Sequence, residues 1–286
     1  MRYMFLRYPG GKTKAVTFSY DDGCEDDMRL TGVLNRYGIK CTFNITGDRV
    51  ERDPALTDDF IRAEMLAKGH EIATHGYFHR GQDLLRPIEG IREILDARLA
   101  LERTFGRIIR GMAFPDRTVD RFRQPLTYER VRTYLQELDI TYVRTAGNET
   151  HSFELPEDWL NWAATAHHRD PKVFELIEEF LAINVDERYC AQRTPKLFYL
   201  WGHAFEFAGD QNWDLLEEIC KKLSGHDDIW YATNGEICDY AAAYRSLVFS
   251  ADGHTIYNPT LFELWFDADR TLYCIHPGET LHIPRD

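Results

Sequence analysis

The sequence alternates between short β-rich runs and amphipathic helical stretches for roughly 240 of its 286 residues, and this pattern limits the possible folds most. Predicted strands, each stopped by a turn or a polar residue, span 14–20, 39–45, 70–74, 107–114, 141–145, 197–201 and 229–232. Predicted helices span 26–37, 57–68, 87–105, 128–137, 173–182, 213–223 and 233–244. About seven or eight such repeats favour a mostly parallel sheet with outer helices, closed into a TIM-like (β/α) barrel that is complete or distorted.

The C-terminal residues follow a different pattern. Roughly 40 residues contain short apolar runs separated by turn-forming pairs such as Asp252-Gly253, which are signals of β-hairpins. We therefore predict two parts: an α/β barrel over 1–245 and a small β-rich appendage over 246–286.

Composition excludes several classes of protein. Lys and Arg total 34 and Asp and Glu total 47, so the net charge of −13 argues against a nucleic-acid partner. The mean hydropathy is −0.45, and no run approaches the ~18 apolar residues of a membrane span. The N-terminus has no signal-peptide core, so we expect a cytoplasmic protein unless a leader has been removed. Six scattered cysteines without a C-x-x-C pair indicate reduced thiols.

Polar residues cluster at the ends of three predicted strands. Asp21 and Asp22 follow the first strand, His75 and His79 follow the third, and His203 follows the strand at 197–201. In a parallel barrel, function lies at the carboxyl ends of the strands. One Asp and two His four residues apart form a complete three-ligand set for a catalytic divalent metal. Each motif alone is more often a turn or a surface helix, but their combination at strand ends favours a metal site.

This combination resembles the polysaccharide deacetylase (NodB-homology) family over about residues 14–245. The family motif T-F-D-D-G corresponds to Ser19-Tyr20-Asp21-Asp22-Gly23. The motif H-[ST]-x-x-H corresponds to the sequence HGYFH at 75–79, which follows a typical GHEIAT stretch. The resemblance implies a distorted (β/α) barrel.

The resemblance also implies residue roles. Asp22, His75 and His79 would bind a divalent metal, with zinc expected and cobalt, manganese or nickel as alternatives. Asp21 would be the general base that takes a proton from the attacking water. The family's L-x-H motif supplies the acid that protonates the leaving amine. Its match, Leu-Trp-Gly-His ending at His203, is one residue longer than the pattern.

Two family motifs are altered. The third, R-x-P-Y, corresponds to Ala113-Phe114-Pro115-Asp116, so the Arg that pairs with the base is missing. We hypothesise that Arg110 or Arg117 replaces it. Phe114, Pro115 and Asp116 remain candidate substrate-binding residues, because Asp116 can still offer a backbone N–H to an oxyanion.

The fourth motif, D-x-x-D-W, is only partly present. Trp159 and Trp162 are candidates for an aromatic wall against a sugar or an acyl methyl group, and packing of a long loop is an equal alternative. The following polar cluster at 166–170 either lines the same groove or is solvated surface, which we favour.

The sequence therefore predicts a metal-dependent hydrolase of non-peptide carbon–nitrogen bonds that removes N-acetyl groups from an amino sugar, oligosaccharide or polysaccharide. Alternatives on the same fold are a hydrolase of small amides, allantoinase-like, and an O-deacetylase. An inactive carbohydrate-binding protein is the alternative of another class. No nucleic-acid or membrane partner is expected, and pairing of exposed appendage edges would make a homo-oligomer.

Overall fold

A computed structural model describes residues 3–116, 127–189 and 192–284 of the chain. The strands are β1 (Met4–Arg7), β2 (Lys14–Asp22), β3 (Cys41–Ile45), β4 (Glu71–Thr74), β5 (Gly111–Ala113), β6 (Tyr142–Thr145), β7 (Trp162–Ala163), β8 (Ala166–His167), β9 (Lys196–His203), β10 (Ile229–Tyr231), β11 (Val248–Phe249), β12 (Thr255–Tyr257), β13 (Leu264–Ala268), β14 (Thr271–Ile275) and β15 (Thr280–His282). The α-helices are α1 (Asp26–Tyr37), α2 (Arg49–Arg52), α3 (Asp58–Phe60), α4 (Pro87–Phe105), α5 (Tyr128–Glu137), α6 (Val173–Ala182), α7 (Ala204–Gly209), α8 (Trp213–Leu223) and α9 (Asn234–Arg245).

Within the described ranges, nine parallel strands form the central sheet. Their order is β7-β6-β5-β4-β3-β2-β9-β8, with β10 beside the first residues of β2. The edge strands β7 and β8 are separated by only two residues, so the chain itself joins the two edges of the sheet. The sheet thus curls into a distorted (β/α) barrel, which confirms the predicted fold class.

The side-chain alternation of β2 explains how the barrel presents polar groups. Val16, Phe18 and Tyr20 point outward into the core formed with α1 and α8. The intervening residues point inward, because successive side chains of a strand lie on opposite faces. Asp21, the last inward residue, is therefore placed at the carboxyl end of the barrel.

Some elements differ from the sequence prediction. The helix predicted at 57–68 is α3 followed by a π turn, Ile61–Met65, and a 3₁₀ turn, Leu66–Lys68. The strand predicted at 107–114 is reduced to β5, and Ile108 ahead of it is 77% exposed, since it lies beyond the sheet.

The C-terminal strands form two small antiparallel sheets, β1-β13-β14 and β11-β12-β15. The first includes β1 from the opposite end of the sequence, which the division at residue 245 did not anticipate. Apolar side chains from these sheets, such as Ile256 and Phe266, share a core with Ala15 and Tyr199 of the barrel. The appendage therefore packs on the barrel, and the division of the chain at residue 245 stays a prediction. Among the described residues, no helix has the length and apolarity that crossing a membrane requires.

Candidate active site

Four neighbouring strands, β9, β2, β3 and β4, bring the candidate catalytic residues together. Asp21 at the end of β2 pairs with Asn44 of β3 on one side and with His203 of β9 on the other. His75 directly follows β4, the next strand beyond β3. All of these residues lie at the carboxyl edge of the sheet.

Asp22, His75 and His79 form a compact group of possible metal ligands. Asp22 Oδ1 lies 3.6 Å from His75 Nε2 and 3.4 Å from His79 Nε2. This buried oxygen has no hydrogen-bond partner in the described part of the chain. Asp22 and His79 also have left-handed backbones, with φ of 82° and 56°, an unfavourable conformation that persists only when the surroundings impose it. The donor set and its unpartnered oxygen fit a divalent cation such as zinc.

The orientation of His75 makes one ring nitrogen available. Its Nδ1 lies 3.0 Å from the carbonyl oxygen of Ala113 in β5 and donates a hydrogen bond to this oxygen. Burial lowers the pKa of His75 and favours the neutral ring. The lone pair is then on Nε2, which faces Asp22. Metal-binding histidines are oriented in the same way, by a hydrogen bond from the ring nitrogen that does not bind the metal.

Glu93 of α4 fixes the turn that carries His79. Its Oε1 accepts hydrogen bonds from the backbone N–H groups of Phe78, at 2.7 Å, and Arg80, at 3.0 Å. Gly76 has a φ of +77°, and a Cβ there would lie 2.8 Å from Glu93 Oε1. Position 76 therefore requires a glycine, because both its backbone conformation and the nearby Glu93 carboxylate disfavour a side chain.

Asp21 is a buried carboxylate held in its ionised form. Burial alone would raise its pKa, but Arg144, His75, His203 and Asn44 outweigh this effect and lower the pKa below its usual value. Arg144 Nη2 donates to Asp21 Oδ2, and Asn44 Nδ2 donates to Oδ1 at 2.8 Å. Arg144 is fully buried and lies over the ring of Trp201, with Cζ 4.1 Å from the ring centroid.

Arg144 was not among the arginines expected beside the base. Arg110 instead binds Asp239 of α9, with Nη2 2.7 Å from Oδ2, so the hypothesis that it replaces the missing arginine is wrong. Arg117 lies outside the described residues. The signal for Arg144 is a lone charge inside the β-rich run Thr141-Tyr-Val-Arg-Thr145, where an inward-facing arginine needs a buried partner.

His203 lies between Asp21 and Glu206 of α7. Its Nε2 is 4.0 Å from Asp21 Oδ2, and its Nδ1 is 3.4 Å from Glu206 Oε2. Burial alone would lower the pKa of His203, but Glu206, Asp21 and Asp22 raise it above its usual value. The ring therefore tends to carry a second proton. Glu206 was not predicted from the sequence, although a carboxylate three residues after a strand-end histidine is a typical helix-capping position.

A cavity of about 480 Å³ opens over these groups. Phe114, Asp116 and Trp201 lie on its wall with Asp21 and the three histidines of the site. The other candidate substrate-binding residues, Pro115, Trp159 and Trp162, are not among the residues that line this cavity. Pro115 is buried. Trp162 is only 2% exposed and contacts Trp159 edge-on in the barrel core, so packing and not substrate contact accounts for it.

The polar cluster at 166–170 is not solvated surface throughout, contrary to the reading favoured above. His167 lines the same cavity, and His168 is 1% exposed because it stacks between Tyr20 and Phe207. Both His167 and His168 lie beside Glu206, so they add two imidazole groups at the edge of the site.

The fold and the site define an α/β-barrel protein with a carboxylate–histidine cluster at the carboxyl ends of its strands. Residues 8–143 match the family model described as polysaccharide deacetylase, so the resemblance to that family is confirmed over this segment.

A chitooligosaccharide deacetylase from Bradyrhizobium is 33% identical over 93 residues, which are 31% of this chain and 39% of that protein. Among solved structures, a Mycobacterium smegmatis protein provisionally named a polysaccharide deacetylase superposes with a TM-score of 0.60 at 20% identity, covering 84% of this chain and 94% of that one. A PuuE allantoinase superposes with a TM-score of 0.56 at 14% identity, covering 81% and 91%. At these identities the two structures show the fold alone.

Proposed function

We propose that this protein hydrolyses the amide bond of N-acetyl groups on an amino sugar, oligosaccharide or polysaccharide, with a divalent metal ion, zinc by preference, held by Asp22, His75 and His79. The observation that carries the proposal is Asp21, a buried carboxylate kept ionised by Arg144 between His75 and His203. When bound, the ion would acidify a water molecule and polarise the acetyl carbonyl group.

The protein side chains would divide the proton transfers between them. Asp21 Oδ2 accepts the proton of the attacking water, since Arg144 keeps this carboxylate ionised at neutral pH. His203 Nε2 gives a proton to the leaving amine nitrogen, and Glu206 beside Nδ1 favours the doubly protonated ring that can do so. The backbone N–H of Asp116, on the cavity wall, is our candidate donor to the developing oxyanion.

A substrate panel tests the reaction. Acetate release should be measured from chitooligosaccharides, peptidoglycan fragments, N-acetylglucosamine and acetyl-xylan, with allantoin hydrolysis as a parallel reaction, in zinc or cobalt. We expect acetate from an N-acetylated substrate. Hydrolysis of acetyl-xylan alone, or of allantoin alone, would favour the O-deacetylase or the small-amide alternative.

Asp21→Asn provides the matched test of the base. Its rate should fall by about 10²- to 10⁴-fold, the usual contribution of general base catalysis. Asp239→Asn, which alters a carboxylate bound to Arg110 away from the site, is the control and should keep its rate. Equal acetate release by the Asp21→Asn variant would refute the assignment of the base.

A further inference from the structure

A second group of potential metal ligands, His167, His203 and Glu206, lies beside the candidate active site. Glu206 Oε2 is 3.1 Å from His167 Nε2 and 3.4 Å from His203 Nδ1. The three ligand atoms all lie within 4.8 Å of one another. The donors of a tetrahedral zinc site, each about 2.0–2.1 Å from the ion, are separated by about 3.3 Å, so the two measured distances suit a shared ion.

The backbone fixes this arrangement. His167 of β8 pairs in register with Trp201 of β9, two residues before His203. Glu206 is held in the first turn of α7 by the backbone N–H of His203, which donates to Oε2 at 3.1 Å. Arg169 Nη1 contacts only the other oxygen, Oε1, at 2.8 Å. One oxygen of Glu206 is thus neutralised by Arg169, and the other faces the imidazoles.

Unused hydrogen-bonding capacity points to a missing ligand at this position. His168 is 1% exposed, and neither of its ring nitrogens has a hydrogen-bond partner in the described part of the chain. Its Nε2 lies 3.3 Å from Glu206 Oε2, the oxygen that also faces His167. His203 Nδ1 likewise has no hydrogen bond that meets geometric criteria within the described ranges. Buried polar atoms without partners are rare and require an explanation.

We propose that His167, His203 and Glu206 form a second site for a divalent transition-metal ion of the zinc type, distinct from the Asp22–His75–His79 group, with His168 Nε2 as an available fourth donor. Imidazole nitrogens together with one carboxylate oxygen are a common set of zinc ligands, whereas magnesium and calcium prefer oxygen ligands alone.

Metal stoichiometry tests the site without reference to activity. A third group, Glu263, Cys274 and His276, lies on the C-terminal strands, so all proteins should carry His276→Ala to remove its contribution. The untagged full chain is stripped with a chelator, equilibrated with zinc alone, and its bound zinc is measured. We expect two equivalents in this background and one in each of His167→Gln and Glu206→Gln. His226→Gln, which alters a histidine bound to the carbonyl of Lys222, is the control and should keep two.

The two sites can be distinguished by combining variants. His75→Gln should also bind one equivalent, and His75→Gln with Glu206→Gln should bind none. Circular dichroism confirms folding, and Glu206→Gln, which keeps side-chain volume, provides the test if His167→Gln does not fold. Saturation of the background protein at one equivalent, or retention of two by either Glu206→Gln or folded His167→Gln, would overturn the proposal. Absence of hydrolysis at every zinc loading, with zinc bound, would instead count against the proposed function alone.

Discussion

Two buried histidines at opposite ends of β4 show how one strand carries a structural and a candidate catalytic residue. His70 precedes the strand and is 5% exposed, and His75 follows it and is 1% exposed. His70 uses both ring nitrogens within the protein: Nδ1 accepts from the backbone N–H of Cys41 at 3.0 Å, and Nε2 donates to Asn35 Oδ1 at 3.1 Å. His75 uses only Nδ1 in this way, and its Nε2 faces Asp22 and Asp21.

Burial lowers the pKa of both residues, so neither burial nor a perturbed pKa separates them. The difference is the tautomer and whether the second nitrogen already has a partner. His70 joins β3 and α1 to the start of β4, whereas His75 presents a lone pair to a group of carboxylates. A histidine with both nitrogens satisfied stabilises a fold, and one with a free, oriented nitrogen can bind an ion.

The largest expected effect comes from His75→Gln compared with His70→Gln. Removing a residue that only hydrogen-bonds to a metal ligand already lowers metal affinity about 10- to 100-fold. Removing a ligand itself should therefore lower zinc affinity and zinc-dependent acetate release by roughly 1000-fold or more. His70→Gln should keep both near wild type in the folded protein. Zinc titration of acetate release checks this, and equal losses in the two variants would contradict the distinction.

The next effect concerns the arginine beside the base. Arg144→Lys cannot keep the same contact, because an ammonium lacks the planar fork of the guanidinium, and we expect acetate release to fall by about 10- to 100-fold. Weaker pairing should raise the pKa of Asp21. Asp21, the proposed base, must be ionised to act, so the acid limb of the pH–rate profile should move to higher pH.

Arg110→Lys is the matched control for this substitution, since Arg110 binds Asp239 on the surface. Its rate and pH profile should stay near those of the wild type. An unchanged acid limb in Arg144→Lys would mean that Arg144 does not keep Asp21 ionised.

The sequence predicted those parts of the site that are written as local strings. Asp21-Asp22 and the His75–His79 motif each follow a strand, so strand ends alone place them near one another, and the barrel follows from the alternation of elements. Arg144 could not be found in this way, because its contact with Asp21 joins residues 123 positions apart on non-adjacent strands.

Errors in the sequence prediction have the same physical origin. Trp162 belongs to β7, which has two residues and whose pairing with β6 depends on closure of the whole sheet. A two-residue strand has no periodicity from which its buried face could be predicted. The role of Glu206 likewise depends on α7 bringing it back to His167 and His168, which no spacing in the sequence indicates.

A smaller effect is expected for the stability of His70→Gln. The substitution disturbs two buried hydrogen bonds, one to Cys41 and one to Asn35, and each buried group left unsatisfied costs about 1–3 kcal/mol. Urea denaturation should show a free energy of unfolding lower by about that amount. His226→Gln, at a half-buried histidine bound to the carbonyl of Lys222, is the control and should unfold much like the wild type. Unchanged stability in His70→Gln would show that His70 does not hold β3 and β4 together.

The smallest effect is the pH dependence of that stability. Burial lowers the pKa of His70 from its ordinary value of 6.5 to about 4. Between these values the unfolded chain binds a proton that the folded protein does not, so the contribution of neutral His70 is complete above pH 6.5 and is lost as pH falls toward 4. One pH unit below 6.5, the loss should be about 1.4 kcal/mol. Because other buried histidines also titrate, the quantity to measure is the difference in unfolding free energy between wild type and His70→Gln at pH 7.5 and 5.5. That difference should shrink at the lower pH, and a constant difference would mean that His70 titrates normally in the folded protein.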